Sequence, residues 1–268
     1  MVILNSVVCY NNEEEIIEYA KKLEQQKCRE DIRLIITMNK SAWNITEFSG
    51  VLKRLSVQSF IYTPDENLGY LNGMLYGYRE YLKNSSEDYQ WAIFSNTDIS
   101  YVNDSFFERL STQEYEKDIW LLGPSAVDKT DTYLNPMRNA RYSKKDIILR
   151  KKCFEHPTLS VLLNLVHGLR KKSDNTKPES QYCYMIHGCY MILNKELADT
   201  LVKNTPWELM YAEENYLAEI TRSADRKVYY DSELEIIHEA GTVTGTVNDK
   251  LKRNMHVKSL NRLLKEFY

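Results

Sequence analysis

The chain has only 9 glycines and 6 prolines among 268 residues. That leaves little material for long irregular loops and excludes collagen-like or low-complexity sequence. Its five cysteines, Cys9, Cys28, Cys153, Cys183 and Cys189, are an odd number with no C-x-x-C pair. Neither a disulfide framework nor a zinc ribbon fits them, and reduced, mostly buried thiols are expected. No run approaches the roughly 20 apolar residues that a spanning helix needs. A basic stretch followed by an apolar core and a cleavage site is also missing. Met1 to Cys9 enters strand-like sequence directly, so a cytoplasmic location is expected. Positive charge is not in excess either: 35 Lys and Arg stand against 38 Asp and Glu, a formal charge of −3. Such a chain has no global field to gather nucleic acid, and none is expected as a partner.

Several catalytic signatures are absent too. The first apolar run leads into Tyr10-Asn11-Asn12 and not into G-x-G-x-x-G, so a dinucleotide pyrophosphate would have no glycine-lined helix start to sit on. Neither a G-x-x-x-x-G-K-[ST] phosphate loop nor a G-x-S-x-G elbow occurs. His238-Glu239 opens like the H-E-x-x-H zinc helix, but no second histidine completes it. The histidines at 156, 167, 187, 238 and 256 form no local metal-binding cluster.

What is present is alternation. Val2 to Val8 reads as a strand and Glu13 to Gln26 as a helix with Ile16, Tyr19, Ala20 and Leu23 on one face. Ile32 to Thr37 is a second strand, Val51, Leu52 and Leu55 keep helical spacing, and Ser59 to Tyr62 is a third strand. Leu68, Leu71, Leu75, Tyr78 and Leu82 then mark a helix before the strand Trp91 to Ser95. This order predicts an α/β fold with a mostly parallel central sheet and helices on both faces. The second half adds strands at Ile119 to Gly123, Tyr184 to Leu193, Lys227 to Tyr230 and Leu234 to His238. It also adds helices at Glu213 to Ser223 and Lys250 to Phe267. Gly69, Gly73 and Gly77 recur at every fourth position of one predicted helix. Each interior helix glycine costs about 1 kcal/mol relative to alanine, so the ridge implies a close approach by sheet or ligand.

Asn96-Thr97-Asp98 follows the fourth strand directly, at the carboxyl end where open α/β sheets bind ligands. Oxygen ligands spaced two apart in a turn can hold a hard cation, and they can equally close an Asx-turn. Three runs occur in order in the first half: Ser6-Val7-Val8-Cys9-Tyr10-Asn11-Asn12-Glu13-Glu14, Glu66-Asn67-Leu68-Gly69-Tyr70-Leu71-Asn72-Gly73, and Ser95-Asn96-Thr97-Asp98. Three more follow: Ile186-His187-Gly188-Cys189-Tyr190-Met191-Ile192, Leu209-Met210-Tyr211-Ala212-Glu213-Glu214, and Ile236-Ile237-His238-Glu239-Ala240-Gly241. Together they resemble family 2 glycosyltransferases with the GT-A fold, particularly rhamnosyltransferase-like members of bacterial polysaccharide pathways.

The resemblance implies a single GT-A catalytic domain over 1–242, with a nucleotide-sugar-binding half at 1–123 and an acceptor half at 124–242, followed by a helical tail at 243–268. It places Tyr10 and Asn11 at the nucleotide end of the first strand, Asn39 near the base, and Asn67, Gly69, Leu71 and Asn72 around the nucleoside. Asp98 becomes the principal ligand of Mn²⁺ or Mg²⁺. Asn96 stands where many relatives carry the first acid of D-x-D, and His238 touches metal or diphosphate. Glu213-Glu214 occupies the place of the family's Glu-Asp pair, whose second member is the base of an inverting transfer, so Glu214 is the expected base with Glu213 its neighbour. His187 and Gly188 shape the sugar pocket, and Trp207 and Tyr211 either stack on the acceptor or belong to the core. Met38 and Glu214 depart from the family's acidic residue and aspartate at those points. A UDP or dTDP sugar donor and a glycan or lipid-linked acceptor are implied. Two other readings stay open: a sugar nucleotidyltransferase, and a silent nucleotide- or glycan-binding subunit.

The stretch 138–177 is rich in lysine and arginine, and inside it Leu159, Leu162, Leu163, Val166 and Leu169 mark one helical face. With the basic C-terminal helix it suits either peripheral contact with an anionic membrane or a helix packed on the core.

Overall fold

The short apolar runs of the first half become parallel strands. A computed structural model describes residues 2–158, 176–204, 206–239 and 249–268. In it β1 (Val2–Tyr10), β2 (Ile32–Lys40), β3 (Gln58–Tyr62) and β4 (Tyr89–Ser95) lie in the order β3-β2-β1-β4, all parallel. Their connections are α1 (Glu13–Glu24), α2 (Ile45–Leu52) and α3 (Tyr70–Asn84). Because β1 has β2 on one side and β4 on the other, the crossovers diverge there. A crevice is left outside the carboxyl ends of β1 and β4.

Beyond β4 the directions mix. β8 (Tyr190–Asn194) runs antiparallel to both β4 and β6 (Ile119–Asp128), and β6 pairs parallel with β9 (Lys227–His238). β5 (Ile99–Tyr101) and β7 (Gln181–Cys183) add to β9 antiparallel. Apolar side chains pack on both faces of the sheet. One layer joins Ile16, Tyr19 and Leu23 of α1 to Phe48 of α2 and to Phe106 and Phe107 of α4 (Phe106–Thr112). The other joins Leu71, Met74 and Tyr78 of α3 to Leu197 and Leu201 of α6 (Lys195–Lys203), Tyr216 and Leu217 of α7 (Glu213–Ser223), and Leu260 and Leu263 of α8 (Asp249–Phe267). α5 (Lys144–Glu155) packs beside α8.

The glycine ridge is a packing device. A Cβ on Gly77 would sit 2.5 Å from Thr37 Oγ1 and 3.0 Å from Ile35 Cγ2, and one on Gly73 would sit 2.8 Å from Val8 Cγ2. With no side chain between them, α3 settles onto β1 and β2 closely enough for hydroxyls of the sheet to reach its carbonyls. Ser6 Oγ donates to Met74 O at 2.9 Å and Thr37 Oγ1 to Gly73 O at 2.7 Å.

Three predicted strands differ in the structure. Tyr184 to Leu193 is broken: only β8 is extended, and Tyr184–Cys189 is irregular because its amides are taken by groups outside the ladder. Arg138 O accepts from Tyr184 and Met185, Asn135 Oδ1 from His187, and Glu214 Oε1 from Gly188. The two predicted strands at Lys227 to Tyr230 and Leu234 to His238 are one strand, interrupted by a register shift against Pro124 and Ser125. The apolar face at 159–169 lies outside the described residues. All five cysteines are free thiols.

Candidate functional site

A cleft of about 530 Å³ opens at the carboxyl ends of β1 and β4. One side is polar. Asn96, Thr97 and Asp98 leave β4, and β9 returns His238 beside them because Ile99 of β5 pairs with His238 and Asp98 O accepts the Glu239 amide. His238 Nε2 stands 3.3 Å from Asp98 Oδ2 and 3.2 Å from the Asn96 amide nitrogen. Asp98 and Thr97 are buried, at 8% and 5% exposure.

Beneath this edge, Tyr70 Oη donates toward Asn96 Oδ1 at 2.7 Å and toward Gly188 O at 2.9 Å. One hydroxyl hydrogen cannot satisfy both acceptors well. Turning the Asn96 amide over lets Tyr70 donate to Gly188 and accept from Asn96, and aims the amide oxygen at His238. Gly188 N–H in turn donates to Glu214 Oε1 at 3.2 Å. A continuous hydrogen-bonded path therefore runs from Glu214 through Gly188, Tyr70 and Asn96 to His238 and Asp98. The His187 ring lies 5.8 Å from that of His238. Burial pushes the His187 pKa down, while the Glu214 carboxylate beside it works the other way. Its Nδ1 accepts from Cys189 N–H, so the neutral ring carries its proton on Nε2.

The two acids of the pair have different surroundings. Glu213 is 6% exposed and its Oε1 accepts the Tyr211 amide at 2.8 Å. Burial, with the neighbouring Glu214 charge, holds its carboxyl well above the usual carboxylate range. Glu214 is only partly buried and faces Gly188. Tyr211 and Ala212 just before them have φ of 76° and 62°, a conformation that costs non-glycine residues on the order of 1 kcal/mol each.

The opposite wall of the cleft is apolar: Leu209 and Met210 from the loop before α7, and Leu251 and Met255 from α8. Gly69 begins α3 at φ 80°, and a Cβ there would collide with the Leu209 carbonyl, whose oxygen accepts the Tyr70 amide at 2.9 Å.

A divalent cation fits the donor set. Neighbouring ligands of a small octahedral ion with bonds of about 2.1 Å lie roughly 3 Å apart, close to the Asp98–His238 spacing. Among the described residues no group of three or more His, Cys, Asp or Glu is gathered as a metal cage. Two protein donors with an amide oxygen suffice where substrate phosphates complete the shell.

No protein-family model and no curated protein matches the chain. Solved structures do. A mannosyltransferase of Pyrobaculum calidifontis, PcManGT, in complex with GDP-Man and Mn²⁺, superposes with TM-score 0.58 at 8% identity over 98% of this chain and 70% of its own. GalNAc-T7 with UDP, GalNAc and Mn²⁺ gives 0.61 at 12% over 97% of this chain and 48% of its own. The 1–349 portion of S. aureus TarS gives 0.53 at 12% over 87% of this chain and 60% of its own. The chain has the GT-A fold.

Within this GT-A frame, Tyr10, Asn39, Asn67, Gly69, Asn96, Asp98 and His238 line the cleft. Glu214, His187 and Gly188 stand behind Tyr70 and Asn96, joined to them as described. Others are placed elsewhere. Leu71 is fully buried in the core, because it falls on the sheet-facing side of α3. Asn72 is spent on the main chain of Trp207, donating to its oxygen at 2.8 Å and accepting from its amide at 2.7 Å. Trp207 is 4% exposed and stacked 4.3 Å from Tyr216. Tyr211 stacks on His256, and Asn11, with φ 56°, is exposed and donates its amide to Lys40 O. Asn39 lines the cleft but its amide group is committed to structure, accepting from Leu68 N and donating to Gly69 O.

Tyr70, Glu15 and the apolar wall also line the cleft without a role expected from sequence, and Thr97 was expected there only as the middle of Asn96-Thr97-Asp98. Glu15 accepts from Thr97 Oγ1, and from Asn12 Nδ2 at 3.1 Å. Its place in the first turn after Tyr10-Asn11-Asn12 was the available signal. Leu251 and Met255 gave none, because a tail helix reads the same whether it packs on a cleft or on a core.

Proposed function

We propose that this chain is an inverting glycosyltransferase that moves a sugar from a nucleoside diphosphate donor to a hydroxyl of a glycan or lipid-linked saccharide. The supporting observation is the hydrogen-bonded path that brings Asp98 and His238 to the same end of the sheet as Glu214. Inversion needs a group that holds the departing diphosphate and a base that removes the acceptor proton from the opposite face of the sugar, and this reading gives the first task to Asp98 with His238 and the second to Glu214.

The likeness to structures solved with GDP-Man and Mn²⁺, or with UDP, GalNAc and Mn²⁺, favours a nucleotide sugar and a divalent ion. In this reading Asp98 and His238, with the Asn96 amide oxygen, hold Mn²⁺ or Mg²⁺. When bound, the ion supplies a positive charge opposite the one that develops on the leaving diphosphate. Tyr70 fixes the Asn96 amide, and the residues before α3 present the nucleoside end. Glu214 takes the acceptor proton. Glu213, turned inward with burial and the neighbouring Glu214 charge holding its carboxyl above the usual carboxylate range, holds the turn before it. A UDP or dTDP donor and a place in bacterial surface polysaccharide synthesis follow from the sequence resemblance.

A second reading, nucleotide or glycan binding without turnover, is favoured by the neutral Asn96 beside Asp98. Release of nucleoside diphosphate from a panel of UDP-, dTDP- and GDP-sugars with Mn²⁺ or Mg²⁺ separates the two. Turnover of one donor, with inverted anomeric configuration in the product, is expected. Binding without turnover under every condition supports the silent subunit.

A further inference from the structure

The C-terminal helix tracks the loop that leads to the two acids residue by residue. Arg262 Nη1 donates to Pro206 O, and its guanidinium lies 4.7 Å from the Trp207 ring centre. One turn earlier, Ser259, fully buried, donates to Met210 O at 2.9 Å. The His256 ring lies flat between Tyr211, at 3.7 Å and 19°, and Phe154 of α5, at 3.9 Å and 7°. Met255 and Leu251 then reach the cleft beside Leu209 and Met210. Leu251, Met255, Ser259 and Arg262 are spaced by three or four residues along one face of the helix, and His256 flanks Met255 at its edge. They meet the segment 206–211 along its length, and His256 meets it at Tyr211, the first of two consecutive residues with positive φ. A backbone held in that conformation relaxes unless its surroundings enforce it. The enforcing groups come from α8 on one side and from Glu213, through the Tyr211 amide, on the other.

We infer that α8 is part of the catalytic apparatus: His256, stacked between Tyr211 and Phe154, is a positioning residue that holds the turn placing Glu214. The inference rests on the transferase reading only for the consequence of that placement, and the placement itself has its own readout. Burial and the nearby Arg150 charge push the His256 pKa down to about 4, so the ring stacks uncharged at neutral pH. A flat carbocycle can therefore replace it, and an aliphatic stub cannot.

The test compares His256→Ala, His256→Phe and Ser259→Ala in the full chain by hydrogen–deuterium exchange. His256→Ala is expected to speed exchange of amides 209–216 at least tenfold, with β1 to β4 unchanged. His256→Phe should return it to within about threefold of the parent, and Ser259→Ala should fall between. In turnover, His256→Ala should lower kcat at least tenfold with donor KM within about twofold, and His256→Phe should recover most of it. Unchanged exchange in His256→Ala overturns the inference. So does acceleration spread equally over β1 to β4, or failure of His256→Phe to restore the turn. A parent protein that transfers no sugar overturns the transferase reading and leaves the exchange result standing.

Discussion

Two adjacent glutamates that read alike in sequence have opposite roles in the fold. Glu213 points inward to cap the Tyr211 amide, and Glu214 points toward Gly188. Replacing Glu214 with Gln should lower kcat by about two to four orders of magnitude, the usual contribution of a positioned base. Nucleotide affinity, read by calorimetry, should be unchanged. A fully active Glu214→Gln enzyme removes the base assignment. Glu213 makes a separate prediction. Its carboxyl stays protonated in the folded chain above the value of 4.5 at which it ionises when unfolded. From that pH upward the folded state binds the extra proton, so stability falls as pH rises toward the raised folded value. Glu213→Gln keeps the acceptor oxygen and has no proton to lose. The variant should therefore melt higher than the parent at pH 8, with the difference closing toward pH 5. A constant difference across that range contradicts the assignment. Which glutamate turns inward was not legible in the sequence, because it depends on the left-handed turn at Tyr211 and Ala212, and neither residue type announces one.

At the scale of elements, periodicity was a good guide to α1 and α3, whereas α2 starts and ends earlier than the Val51, Leu52 and Leu55 spacing implies. The Gly73 and Gly77 spacing correctly implied close approach, by β1 and β2, whereas Gly69 lies just before α3 and is approached by the Leu209 main chain. Gly77→Ala should destabilise the chain by about 1–3 kcal/mol, the cost of forcing a methyl group into a packed interface, and lower Tm by several degrees. An unchanged Tm shows that α3 can lift without cost. The second half was less legible because its backbone is satisfied by groups far away in the sequence, main-chain and side-chain alike. Tyr184–Cys189 reads as strand from its apolar residues, and only the bonds from Asn135, Arg138 and Glu214 make it a loop. The Glu219 cluster is similar. That carboxylate is fully buried and accepts from Arg141, Arg222, Tyr184 and Tyr268, tying α7 to α8 and to the segment before α5. Arg141→Ala leaves a buried charge with fewer partners and should cost about 3 kcal/mol in a denaturant titration. A change under about 0.5 kcal/mol, the usual range for an exposed ion pair, contradicts it.

For the whole molecule, the alternation of strand and helix was enough to predict an α/β sheet covered on both faces, and six ordered motifs were enough to suggest the GT-A fold. The resemblance implies a helical tail at 243–268 after the catalytic domain. In the structure α8 walls the cleft, a long-range contact that no local pattern encodes. Membrane contact through 138–177 rests on charges whose middle portion lies outside the described residues, and among the described residues no helix is long and apolar enough to cross a bilayer. Arg150 is turned onto Tyr142 and Asn215, so it belongs to the packed side of α5.

The central claim is that the crevice at β1 and β4 holds a nucleoside diphosphate through Asp98 and a divalent ion. The direct measurement is a thermal shift with UDP, dTDP and GDP, each with and without Mn²⁺, on the parent chain and on Asp98→Ala. A ligand at a hundredfold excess over its Kd stabilises the native state by about 2.7 kcal/mol, a rise of roughly 5 °C or more for a chain of this size. The account predicts that rise for at least one nucleotide, dependent on Mn²⁺ and abolished in Asp98→Ala. No shift with any nucleotide, or an equal shift in Asp98→Ala, contradicts it.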